Sequence, residues 1–198
     1  MLLNKPEGII LSERLFEEKI DSKQIFKGEI VGLYYDTIKL PDGKTATREK
    51  VTHPGAVGIV PVTNDNKIIL VRQYRYPVED VTIEIPAGKL DKGESPSKCA
   101  QRELEEEVGA VNGKLIHLST FYTTPGFCNE VLHLYLAIEF RRTGNNLDED
   151  EFLEIIEPEA DEAMQWVKNG KIKDSKTIIG ILMAKDFING KLREEDKK

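Results

Sequence analysis

Apolar and β-branched positions fall in short runs along most of the chain, and outside residues 8–20 only three stretches carry a helical period. Residues 8–20 fit a short strand or a short helix equally well. From Gln24 to Leu40 the text IFKGEIVGLYYDTIKL is rich in Ile, Val, Tyr and Phe and reads as strands. Pro41-Asp42-Gly43 is a turn signal, and Ala46–His53 is the returning strand. This opening hairpin has no evident core of its own and must pack on something else. After Pro54-Gly55, the runs AVGIVPVT and KIILVRQYR flank Asn64-Asp65-Asn66; the first is nearly continuous in apolar residues, as in a strand buried on both faces. Val81–Ile85 is a short strand before Pro86-Ala87-Gly88. Ser95–Val108 reads as a helix, with Ser95 as N-cap, Pro96 in the first turn and Ala100, Leu104 and Val108 on one stripe. Strands follow at about 114–122 and 130–140, then an acidic loop at 143–151, a short strand at 152–157 and helices at about 159–169 and 174–188. Strand runs around one central helix, closed by helices, predict an α/β or α+β sandwich.

The chain has 198 residues, a length that favours one main domain with a small appendage. The pattern places that appendage at 1–53 and the main domain at 54–198. No apolar run approaches the roughly 18 residues of a membrane span, and the acidic start MLLNKPEGIILSERLFEEK does not read as a signal peptide. No membrane partner is expected. The two cysteines, Cys99 and Cys128, form no disulfide framework, which points to a reducing compartment such as the cytoplasm. A net charge of -7 argues against non-specific nucleic-acid binding. It leaves room for a phosphate-bearing small molecule, because a few arginines and a bound metal reverse the sign locally.

The central helix carries Glu103, Glu105, Glu106 and Glu107 in its last two turns. Glu103 and Glu107 are a like-charge i,i+4 pair, unfavourable by a few tenths of a kcal/mol. They also sit near the negative end of the helix dipole, at roughly 0.3–1 kcal/mol each if exposed. A solvated acidic face is the ordinary reading of such a cluster. The alternative is a ligand set: positions 103, 106 and 107 share one face, and carboxylates without His or thiolate suit Mg²⁺ or Mn²⁺ rather than zinc.

The flanking residues favour the second reading. From Gly88 the sequence runs GKLDKGESPSKCAQRELEEEVGA. Gly88, Glu94, Arg102-Glu103-Leu104, Glu106-Glu107 and Gly109 stand at every fixed position of the pattern that it resembles, the Nudix hydrolase signature. Only Ala110 is smaller than the usual aliphatic. The resemblance implies a Nudix α/β/α sandwich preceded by an N-terminal antiparallel β subdomain, and hydrolysis of a nucleoside diphosphate linked to another group. It implies a metal set of Ala87 (through its carbonyl), Glu103, Glu106 and Glu107, with Arg102 orienting the carboxylates and Glu94 in a supporting role.

The segment FYTTPGFCNE, together with KGEIVGLYYDTIKLPDGK, TREKVTHPGAV, ILVRQYRYP and LDEDEF, resembles the ADP-ribose pyrophosphatase subgroup. That resemblance implies a Mg²⁺-dependent (or Mn²⁺-dependent) enzyme acting on a small nucleotide diphosphate, and a homodimer that exchanges its opening strands and shares its active sites. Substrate contacts carry over to Arg48, Glu49, His53, Arg75, Lys89, Thr124, Pro125, Gly126 and Glu130. Glu29 and Ile30 stand where the subgroup stacks aromatics on adenine, leaving Tyr34 or Tyr35 as substitutes. In the acidic loop, Glu149 takes the place of the general base and Glu151 that of a further metal ligand. The alternatives are a Nudix enzyme for another nucleotide sugar or a nucleoside triphosphate, a non-catalytic ADP-ribose sensor, and a regulator that would need a basic helix-turn-helix.

Overall fold

The computed structural model describes residues 14–144, 147 and 152–190, which divide into two compact units. The first ends at His53 and also takes in Thr124–Asn129; the second holds Pro54–Thr123 and the chain from Glu130 onward.

In the first unit, β1 (Glu18–Lys27), β2 (Gly32–Lys39) and β3 (Thr45–Thr52) form an antiparallel sheet in that order. The undecided stretch at 8–20 therefore ends inside a strand. The turn at Pro41-Asp42-Gly43 closes with the Gly43 amide donating to the Leu40 carbonyl at 2.9 Å. A polar pin crosses all three strands: buried Asp36 accepts from Ser22 Oγ at 2.5 Å and from Lys50 Nζ at 2.8 Å. Those donors, Lys50 first, hold its carboxyl below the usual carboxylate range. Among the buried apolar residues only Ile38 lies on this sheet, and β1 is exposed at every position. Thr124–Asn129 is fastened to β3 by Val51 N to Phe127 O at 2.7 Å and Asn129 N to Val51 O at 3.2 Å.

The second unit contains β4 (Ala56–Pro61), β5 (Leu70–Arg75), a 3₁₀ turn (Tyr76–Val78), β6 (Asp80–Glu84), β7 (Ala87–Lys89), α1 (Pro96–Val108) and β8 (Ala110–Val111). It continues through β9 (Lys114–Tyr122), β10 (Val131–Ile138), β11 (Arg141–Arg142), β12 (Leu153–Ile156), α2 (Ala160–Lys168) and α3 (Ser175–Ile188). One sheet has the order β7-β4-β10-β9, with β4 and β10 parallel; a second has the order β12-β5-β6; β8 and β11 form a small pair.

β4 is buried at all six positions. Its alternation sends Val57 and Ile59 into one core cluster with Cys99, Leu104 and Val108 of α1. Ala56 and Val60 enter the other, with Ile181 and Ala184 of α3. Helices thus cover both faces of the sheet, giving the α/β/α sandwich. Full burial of each Val or Ile is worth about 1.5–3 kcal/mol, which is why this strand reads as an unbroken apolar run.

Pro86-Ala87-Gly88 is more than a break after β6. Ala87–Lys89 is itself a strand, with Gly58, Val57 and Ala56 of β4 opposite Ala87, Gly88 and Lys89. Proline stays just outside the ladder, where its missing N–H costs nothing. α3 starts on a true cap: Asp174 accepts from Thr177 N at 2.9 Å and from Thr177 Oγ1 at 2.6 Å. Thr177 Oγ1 in turn accepts from the Ile85 amide at 2.8 Å, tying the helix start to the end of β6.

Candidate active site

α1 is positioned at both ends. Ser95 is the N-cap and Pro96 opens the first turn, but the Ser95 side chain makes no capping bond; its carbonyl takes the Lys98 and Cys99 amides at 3.0 Å. At the C-terminus Gly109 adopts φ 63°, the left-handed conformation that glycine reaches at no steric cost. Its carbonyl accepts from Thr143 N at 2.7 Å and Thr143 Oγ1 at 2.9 Å.

Glu103 and Glu107 are buried carboxylates on this helix. Buried charge demands partners, and the neighbouring residues supply them. Arg102 donates from NH1 to Glu103 Oε1 at 2.7 Å and to Glu106 Oε2 at 3.0 Å. Its Nε and NH2 grip both oxygens of Glu94 at 3.1 Å. Glu107 Oε2 accepts from the Ala87 amide at 3.2 Å. One guanidinium thus spans three carboxylates. The fork from Arg102 holds the Glu94 carboxyl down to about 2, and Glu94, with Glu103 and Glu106, drives the Arg102 pKa upward. Cys99, on the same helix, is pushed up to about 12 by burial and by Glu94, so it stays a thiol. Its Sγ donates to the Lys89 carbonyl at 3.2 Å.

Gly88 lies directly under Glu103. A Cβ built on Gly88 would stand 1.8 Å from Glu103 Oε1, so the carboxylate occupies the space a side chain would need.

Beside this helix is an ionic cluster whose significance the sequence pattern did not reveal. Arg75 of β5 donates from Nε and NH2 to the two oxygens of Glu84 on β6, each at 2.8 Å. Glu84 also accepts from Thr82 Oγ1 at 2.6 Å and pairs with Lys176 of α3. Burial alone would raise the Glu84 carboxyl, but Arg75 and Lys176 outweigh it and hold it down to about 2. The Arg75 pKa is raised, by Glu84 above all and with smaller contributions from Glu107 and Asp174. The available signal was Glu84, a carboxylate between two isoleucines in TIEIP.

The stability sign follows from the depressed value. An unfolded glutamate protonates near 4.5, the folded one near 2. Its contribution is therefore complete above about pH 4.5 and is lost as the pH falls toward 2, amounting to about 3 kcal/mol. Urea unfolding of the wild type and Glu84→Gln is expected to show a stability gap at pH 6 that narrows by that order at acid pH. A gap independent of pH would contradict the charged state of Glu84.

The remaining candidates lie as follows. Lys89 is at the end of β7, its carbonyl engaged by Cys99 and by Arg102 NH2 at 3.3 Å. Glu130, in the second unit, accepts from Thr123 Oγ1 at 2.5 Å. Arg48, Glu49, His53 and Thr124-Pro125-Gly126 belong to the first unit. Arg48 is forked onto Glu17, through Nε at 3.1 Å and through NH2. The His53 amide donates to Asn129 Oδ1 at 2.8 Å, and the Thr124 carbonyl accepts from Phe127 N and Cys128 N. Glu149 and Glu151 lie outside the described residues. The structure thus brings Ala87, Gly88, Glu94, Arg102, Glu103, Glu106 and Glu107 together, with Arg75 electrostatically linked to them.

A sequence model of the NUDIX domain matches residues 52–178. The chain belongs to the Nudix family. Among its relatives, the methanol dehydrogenase activator of Bacillus methanolicus is 50% identical over 171 residues, covering 85% of this chain and 92% of that one. The ADP-ribose pyrophosphatase of Bacillus subtilis (strain 168) is 46% identical over 169 residues, 84% of this chain and 91% of that one. A solved structure described as an ADP compounds hydrolase superposes with a TM-score of 0.79 at 20% identity, covering 91% of this chain and all of that one; it shows the shared fold. The NUDIX match begins one residue before the first unit ends and spans the whole carboxylate helix.

The donor set of this Nudix helix fits a hard divalent cation. Oxygen donors dominate, the one thiol on the helix is kept protonated, and the space under Glu103 is cleared by Gly88. Among the described residues the carboxylates are not gathered on a common point: Arg102 holds two of them and Glu107 turns to a backbone amide.

Proposed function

We propose that this Nudix protein hydrolyses the diphosphate of ADP-ribose, or of a closely related ADP-sugar, to AMP and ribose 5-phosphate. The observation that carries the reading is the carboxylate helix: two buried glutamates and a third are gripped or flanked by one arginine, against a glycine whose side-chain space is filled by Glu103. The pyrophosphatase name of the 46% identical relative supplies the substrate class.

Glu103, Glu106, Glu107 and the Ala87 carbonyl would hold Mg²⁺ or Mn²⁺, with Glu151 as a further ligand. When bound, the cation neutralises phosphate charge and makes a bound water more acidic. The chain's own groups do the rest. Arg102 holds Glu103 and Glu106 in place before any ligand arrives. Arg75 offers a planar guanidinium to the diphosphate. Lys89, Thr124, Pro125, Gly126 and Glu130 contact the diphosphate and the terminal ribose, while Arg48, Glu49 and His53 serve the adenosine end. Glu149 takes the proton of the attacking water, a contribution of about 10²–10⁴-fold.

A homodimer with shared active sites is part of the proposal. Its support is β1, exposed along its whole length with Ile20 at 55%, Ile25 at 52% and Phe26 at 55%, in a sheet with little core of its own. We place the protein in the cytoplasm on its cysteine usage.

The test is a substrate panel of ADP-ribose, GDP-mannose and a nucleoside triphosphate, with Mg²⁺, Mn²⁺ or a chelator, read by chromatography. AMP and ribose 5-phosphate from ADP-ribose, abolished by the chelator, are expected. Turnover of another substrate with none of ADP-ribose would overturn the assignment. A second reading rests on the 50% identical relative, named for activating a dehydrogenase: the chain would act on a dehydrogenase partner. Stimulation of a purified methanol dehydrogenase that persists in a hydrolysis-dead variant would favour it.

A further inference from the structure

α3 opens on Asp174-Ser175-Lys176-Thr177, far in sequence from the carboxylate helix. Lys176 is only 13% exposed and pairs with both Glu84 and Asp174, the latter at 3.0 Å. Glu84, at 3% exposure, is the bidentate partner of Arg75. Two anions, Glu84 and Asp174, thus face two cations, Lys176 and Arg75. The count matters for a group that must attract phosphate. A guanidinium paired alone with a buried carboxylate is aimed but electrically cancelled. A second cation on the same carboxylate preserves the aim and offsets that carboxylate's charge at Arg75.

We propose that Lys176 is a positioning residue for Arg75: acting through Glu84, it balances that carboxylate's charge so that Arg75 is held in place without being neutralised toward a diphosphate. The inference rests on the assignment of Arg75 to the diphosphate of the substrate. Asp174 works in the opposite sense, drawing on Lys176 while capping α3.

Substitutions at Lys176 and Asp174 are expected to shift KM in opposite directions, which a purely structural role would not produce. With ADP-ribose and Mg²⁺, Lys176→Gln, which keeps an amide donor for Glu84, is expected to raise KM about tenfold with kcat changed less than about threefold. Lys176→Arg restores KM to within about twofold of wild type. Asp174→Asn, still a good cap, lowers KM about two- to threefold. Thr177→Val, which removes the hydroxyl that receives the Ile85 amide, lowers the thermal midpoint and leaves KM unchanged. An unaltered KM in Lys176→Gln, a raised KM in Asp174→Asn, or an equal KM rise in Thr177→Val would each overturn the proposal. Calorimetry with inorganic pyrophosphate and Mg²⁺ separates this idea from the substrate assignment. If the wild type releases no AMP from ADP-ribose, that assignment fails. The positioning role then stands or falls on whether Lys176→Gln weakens pyrophosphate binding about tenfold.

Discussion

Glu107→Gln is expected to reduce kcat about a thousandfold while leaving the metal-free protein at least as stable as the wild type. Both halves follow from the same position. Glu107 is 3% exposed, near the negative end of α1 and one turn from Glu103. As a purely structural residue it is a liability, because like charges at i,i+4 and the helix dipole both oppose it. Glutamine keeps an oxygen to accept from the Ala87 amide, so the packing between β7 and α1 survives. What it loses is a full negative charge toward a cation. Losing one preorganised charge-stabilising group costs about 10²–10³-fold, and the ligand role proposed for Glu107 puts its loss at or above the upper end. Glu149→Gln, which under the proposed mechanism removes only a proton acceptor, should lose about a hundredfold. Steady-state kinetics and thermal unfolding without metal check both. Equal, small rate losses in the two variants, or a marked drop in thermal midpoint for Glu107→Gln, would contradict a metal-centred helix.

Gly88→Ala is expected to lower kcat/KM at least a hundredfold with a modest loss of stability, about 1–3 kcal/mol. Gly88 does not need its missing side chain for backbone freedom, since its φ is not positive. It needs it for space: the new methyl would sit 1.8 Å from Glu103 Oε1 and 1.9 Å from Cδ. Glu103 cannot simply swing aside, because it is buried and held by Arg102 at 2.7 Å. The methyl therefore displaces a proposed ligand and strains the arginine that spans three carboxylates. Activity and urea unfolding give the two readouts. A variant with near wild-type activity would mean that Glu103 has no fixed place in the chemistry.

The elements with a strong local signal were legible in the chain. β4 announced itself because it is buried on both faces, and α1 because its apolar stripe and its glycine stop agree. α2 and α3 run from Ala160 and Ser175, close to the spans read from periodicity. The carboxylate helix was legible for an energetic reason: Glu103, Glu106 and Glu107 break the rules for an ordinary helix, and such violations concentrate where chemistry is done. Other features were hidden. β7 was masked by Pro86 and Gly88, which usually interrupt strands, and β8 and β11 are two residues long and carry no periodicity at all. The Ser95 hydroxyl makes no capping bond, although the residue type promised one. The Arg75–Glu84–Lys176 cluster was invisible because its members stand on three elements, up to a hundred residues apart; only tertiary packing joins them.

The segment Thr124–Asn129 leaves the second unit after β9 and returns to it at β10, yet it is fastened to Val51 and His53. A shortened chain starting at Pro54 would retain the whole carboxylate helix but would strip this excursion of its backbone partners at Val51 and of the His53 amide. The enzyme is therefore not a bead that can be cut from its leader at residue 53. Evolutionary or laboratory recombination of the two parts has to transplant the early hairpin and the late excursion as one inseparable pair.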